Sequence, residues 1–165
     1  MFKKIVLFVL VMFPVIALAQ EKIAHVNYGE VATAMPEYKQ MLDSLKKSEE
    51  DFKAELQSMS DEYTKKFSDY IAQRESLNES IKLRREQELQ DIQQRVENFQ
   101  MYAAQKQEEM QQAMTAPILT KLQKAIDDVG KENNFLYVFN SQVLLYISGS
   151  AVDATPMVKR KLGIR

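Results

Sequence analysis

The chain has 165 residues, with 22 Lys+Arg against 23 Asp+Glu, a single His, and neither Cys nor Trp. That length fits one modest domain. The balanced charge lacks the basic surplus of a general nucleic-acid binder, so no nucleic-acid partner is expected. Absence of Cys removes disulfides, thiolate metal sites, a Cys nucleophile and a lipid-modified cysteine anchor. Only four Gly and four Pro occur, and none lies between Glu37 and Ala116. A stretch that long without either strong breaker argues against a compact, many-looped enzyme.

Residues 1–19 read as a secretory signal peptide. Lys3 and Lys4 supply a positive start, Ile5 to Ile16 is apolar, and Ala17-Leu18-Ala19 gives an A-x-A cleavage site. The apolar run is shorter than the roughly 18–20 residues of a membrane span. Cleavage after Ala19 leaves 146 residues with a net charge of −3. The expected product is exported and soluble, and without Cys it must be stabilised by packing or by association.

From Tyr38 the apolar residues are spaced as in a coiled coil: Tyr38, Leu42, Leu45, Phe52, Leu56, Met59, Tyr63, then Phe67, Tyr70, Leu77 and Ile81. A second series runs from Leu89, Ile92, Val96, Phe99 and Ala103 to Met110, Met114, Ile118, Leu122, Ile126 and Val129. Helical ion pairs are expected at Asp43/Lys47, Glu49/Lys53, Asp61/Lys65 and Glu62/Lys66. The apolar rhythm weakens around an out-of-phase Leu83, next to the turn-prone Ser76-Leu77-Asn78-Glu79-Ser80. Residues 37–129 are therefore predicted to form a long antiparallel helical hairpin with its tip near residues 76–84. Pro117 is expected to kink the returning helix.

The ends, residues 20–36 and 130–165, read as a small β-containing body. Lys22 to Tyr28 alternates as a strand, and Pro36 suits the first turn of the long helix. Asn133-Asn134 offers a left-handed stop. Phe135 to Phe139 and Val143 to Ile147 read as two further strands. Asp153-Ala154-Thr155-Pro156 looks like a helix start, followed by a short helix from Met157 to Leu162. These ends are too small to close a large core, and such apolar strands need pairing, so other copies of the chain should complete the body. The predicted fold class is α+β: a coiled-coil hairpin on a small, shared β body.

Chemistry is nearly absent. His25 on a strand reads as a packing residue, the acidic run Glu49-Glu50-Asp51 as a solvated face, and four scattered Gly make no phosphate loop. No catalytic residue, cofactor or metal ligand is expected. Two features point to binding. Lys82, Arg84 and Arg85 near the tip either solvate a turn or offer a cationic contact to an anionic client or lipid surface. Phe52, Met59, Phe67, Tyr70, Met101, Tyr102 and Met110 lie on the arms, divided between the seam and an adaptable apolar surface.

Three segments carry a resemblance over nearly all of the mature chain: KIAHVNYGEVATAMPEYKQ (Lys22–Gln40), AIDDVGKENNFLYVFNSQVLLYISG (Ala125–Gly149) and DATPMVKRKLGI (Asp153–Ile164). With the leader and the Gly-free hairpin between them, they resemble the Skp/OmpH family of periplasmic chaperones, and most of all its Bacteroidetes-type members. The resemblance implies a homotrimer whose shared β body carries three hairpins around a cavity. Unfolded outer-membrane proteins would be held there without ATP. It also implies that the arm and tip residues face the client, and that Ile23, Val26, Val138, Leu144 and Tyr146 build the trimer body. This chain departs from the strongly basic family pattern, because residues 37–116 carry 12 basic and 17 acidic side chains. A structural coiled-coil stalk or spacer of the envelope is the rival expectation.

Overall fold

The computed structural model describes residues 22–164, so the leader lies outside the described residues. In chain order the elements are β1 (Lys22–Val26), α1 (Tyr28–Ala34), α2 (Pro36–Gln73), a 3-10 turn (Arg74–Ser76), α3 (Glu79–Glu132), β2 (Phe135–Asn140), a second 3-10 turn (Ser141–Val143), β3 (Val152–Asp153) and α4 (Thr155–Lys161). The α+β architecture is as expected: two long helices and a three-stranded sheet.

The hairpin follows from the unbroken helical sequence. α2 has 38 residues and α3 has 54, or about 57 and 81 Å at 1.5 Å per residue. Pro36 opens α2, where its missing N–H costs no bond. The reversal occupies Arg74–Asn78, at the start of the predicted window. Asn78 caps α3, its Oδ1 accepting from the Ile81 N–H at 3.0 Å. Lys82, Arg84 and Arg85 are therefore helical residues of α3, not turn residues. α3 runs on through Pro117, which is exposed. Its end is the expected left-handed stop, with Asn134 at φ 53°.

The sheet has the order β2-β1-β3, with β1 central and parallel to both neighbours. Two predictions about the body need correction. Tyr28 does not extend the first strand but begins α1, because Asn27 turns the chain and accepts from the Glu30 N–H at 3.1 Å. Val143 to Ile147 is not a strand. The Asn140 side chain accepts from the Gln142 N–H at 3.1 Å and diverts the chain into a 3-10 turn, after which no strand of the same chain is there to pair. The third strand is instead Val152–Asp153, anchored by the Ala154 N–H donating to the His25 carbonyl at 2.8 Å.

One continuous core ties the body to the base of the arms. Val26 of β1, Val31 and Met35 around α1, Leu122 and Val129 of α3, and Val158 of α4 are all buried in it. Met41 and Ile118 extend it into the first turns of the hairpin.

Candidate functional site

The two arms meet along an antiparallel seam, and three ion pairs cross it. Glu37 accepts from Lys121 at the base. Further out, Arg95 pairs with Glu62 at 3.2 Å and Lys66 with Glu88 at 3.7 Å. This replaces the four predicted pairs within α2, none of which forms. Glu62 and Lys66 reach the opposite arm instead of each other, because seam-flanking positions bring long side chains closer to the partner helix than to the next turn.

The predicted arm residues separate into two groups. Tyr70 is buried, and its hydroxyl donates to Glu86 across the seam. It therefore belongs to the hairpin's own packing, which corrects its assignment as a client-facing residue. Met59 and Met110 are half-buried. Phe52 is half-buried too, and meets Phe99 edge-on at 5.9 Å and Tyr102 at 6.2 Å. Tyr102 and its neighbour Met101 project from this cluster, 54% and 64% exposed. Phe67 is exposed, stacked on Tyr63 at 5.9 Å between centroids. The structure adds Ile71 and Leu83, both exposed near the tip. Their signal was in the spacing: Ile71 follows Phe67 by four residues off the seam, and Leu83 stands out of phase.

The basic cluster at the tip is matched by carboxylates. Lys82 pairs with Glu79 at 2.8 Å, and Glu88 receives Arg85 at 3.0 Å and Arg84 at 3.8 Å. Hydrogen bonds from Lys82 and Arg85 hold Glu79 and Glu88 below the usual carboxylate range. Between Arg74 and Glu88 four basic residues face four acidic ones, so the expected cationic patch is locally neutral.

The predicted body residues also divide. Val26 is buried in the core of the body within its own chain. Val138 and Leu144 are half-buried, whereas Ile23 and Tyr146 are exposed. Tyr146 is 82% exposed and lies beside a fully exposed Leu145 and an exposed Val143. On β2, Tyr137 and Phe139 are exposed as a tilted pair at 5.8 Å. His25 stands opposite Asp153 in the β1–β3 ladder, its Nδ1 3.9 Å from the carboxylate, as part of the polar junction with Thr155 and Asn27.

Among the described residues no group of His, Cys, Asp or Glu is disposed to hold a metal, and no helix is long and apolar enough to cross a membrane. The open grooves along the arms have mixed linings, such as the one of about 470 Å³ between Tyr63, Val96 and Gln100. The arrangement offers apolar and aromatic side chains on long projecting helices.

A comparison with curated proteins gives no match. The family model described as "Outer membrane protein (OmpH-like)" matches residues 22–162, from β1 through α4. With a strand–hairpin–strand order and a terminal helix matched over that whole span, the chain belongs to the OmpH-like family.

Proposed function

We propose that the protein is an ATP-independent holdase of the periplasm, which binds unfolded outer-membrane proteins between helical arms and prevents their aggregation. Membership of the OmpH-like family supports a chaperone-type role in outer-membrane protein biogenesis. The observation that carries the finer reading is the arm surface. Met101, Tyr102, Phe67 and Ile71 remain exposed on α2 and α3 beside the seam. Adaptable Met and aromatic side chains suit apolar segments of varied sequence. Many such contacts are individually weak, so a client leaves without fuel when a better partner for its strands is available.

In this reading the working unit is a homotrimer. The exposed apolar set around Tyr137, Phe139, Leu145 and Tyr146 is of the kind that other copies cover. Residues 20–36 and 130–165 would form the shared body, and 37–129 the arms.

The deciding experiment dilutes a denatured outer-membrane β-barrel protein into buffer without nucleotide and follows light scattering. Suppression at near-stoichiometric trimer supports the reading. Unchanged aggregation in the presence of folded, helical protein overturns it and favours an envelope stalk or spacer.

A further inference from the structure

The seam between the arms is uneven along its length. Buried side chains stand at its base, Met41 and Ile118, and again toward its tip, Tyr70, Leu89 and Ile92. Between Met41 and Tyr70 on α2, and between Ile92 and Ile118 on α3, no side chain is buried. That interval covers about 40 Å of each arm at 1.5 Å per residue. A helical hairpin ordinarily loosens toward its free end, yet here the free end carries a buried layer and the middle does not.

A polar layer lies within this interval. Gln107 falls between Ala103 and Met110 at a seam position that coiled coils fill with apolar residues. Its Nε2 donates to the Leu45 carbonyl at 3.1 Å, while its Oε1 is buried with no hydrogen-bond partner. On α2 the half-buried Ser48 takes the equivalent position between Leu45 and Phe52. A buried acceptor left unmatched is costly, and a polar residue in such a seam gives up stability for register.

We infer that Gln107 and Ser48 form a built-in weak layer, at which the hairpin opens in mid-arm while its base and tip stay closed. Opening lets the Gln107 Oε1 take a water or a peptide N–H, and it bares Phe52, Leu56 and Phe99 in the same interval. The opening stands on the seam alone. Its use, to give a client more apolar surface without parting the tips, rests on the chaperone reading.

Hydrogen exchange of the full chain tests it. Protection is expected to be about tenfold lower around Ser48–Met59 and Phe99–Met110 than around Tyr70 and Leu89–Ile92. Protection that instead falls steadily from base to tip overturns the inference. Gln107→Leu should slow mid-arm exchange by about fivefold or more and leave the tip unchanged. Unchanged or faster mid-arm exchange in a helical variant would also overturn it. Gln107→Met gives the same test with a more adaptable side chain if Leu disturbs folding. Aggregation suppression, measured separately, fails if the chaperone reading is wrong and leaves the exchange pattern intact.

Discussion

The Tyr70 hydroxyl donates to Glu86 Oε1 at 2.5 Å, joining the two arms just below their turn. Hydrogen bonds to charged groups typically contribute about 1.5–3 kcal/mol. Tyr70→Phe keeps the ring in place and removes only this bond. The expected result is a tip that opens more readily, read as faster tryptic cleavage around Arg74 and Lys82 with little change in overall helicity. Cleavage at the wild-type rate would show that ring packing alone holds the tip.

Leu122 is fully buried where α3 meets the body, whereas Leu83 is exposed near the tip. Leu122→Ala should cost about 2–5 kcal/mol, because it removes contacts and leaves a cavity. Leu83→Ala should stay within about 0.5 kcal/mol. Denaturant melts of the two variants distinguish them, and equal midpoints would contradict the placement of the core.

Leu145 and Tyr146 are placed by the trimer reading at the contact between copies. The double change Leu145→Asp, Tyr146→Asp should reduce the mass measured by light scattering to that of a single chain, with the helical circular dichroism retained. A wild-type protein already monomeric at micromolar concentration would remove the shared body from the proposal.

Several carboxyls titrate below their ordinary values. Glu37, Glu79 and Glu88 are lowered from 4.5, chiefly by hydrogen bonds from Lys121, Lys82 and Arg85. Burial alone would raise Asp153, but the Thr155 hydroxyl and N–H outweigh it and hold it below 3.8. A carboxyl lowered by folding contributes stability above its unfolded value, and that contribution is lost as pH falls through the folded value. Thermal stability should therefore hold down to about pH 5 and decline below about pH 4. Asp153→Asn should flatten part of that decline, and melts showing no loss by pH 3 would contradict the assignment.

The neutral tip makes its own prediction. Changing Lys82, Arg84 and Arg85 to Gln removes the partner of Glu79 and leaves Glu88 with Lys66 across the seam. Since exposed pairs add little to stability, the triple variant should keep its fold and lose less than about tenfold in affinity for anionic vesicles. A larger loss, measured by sedimentation with vesicles at physiological salt, would restore a cationic docking role to the tip.

The hairpin was legible because its signal is long and repetitive: dozens of residues at 3/4 spacing without a breaker. The turn was legible in Ser76-Leu77-Asn78, where Asn78 caps the next helix. The charged run after it misled, since Lys82 to Glu88 continues the helix. α1 had a readable start, Asn27 followed three residues later by Glu30, but the alternation of Lys22 to Tyr28 competed with it. Val143 to Ile147 has strand composition without a partner, and pairing, unlike propensity, is not local. For the candidate site, spacing gave the list of apolar arm residues. Only the register of the opposite arm decides that Tyr70 turns inward while Met101 and Tyr102 turn outward.

β1 lies between β2 and β3, and its partners stand more than one hundred residues further along the chain. A polypeptide delivered N-terminus first thus presents its central strand long before either neighbour exists. The hairpin must double back before the sheet can close, so completion of the body reports that the whole chain has arrived. A copy that stops within α3 has helices but no sheet, and none of the surface through which complete copies would meet. The order of the strands thus leaves an incomplete product with a first strand that has nothing of its own chain to pair with.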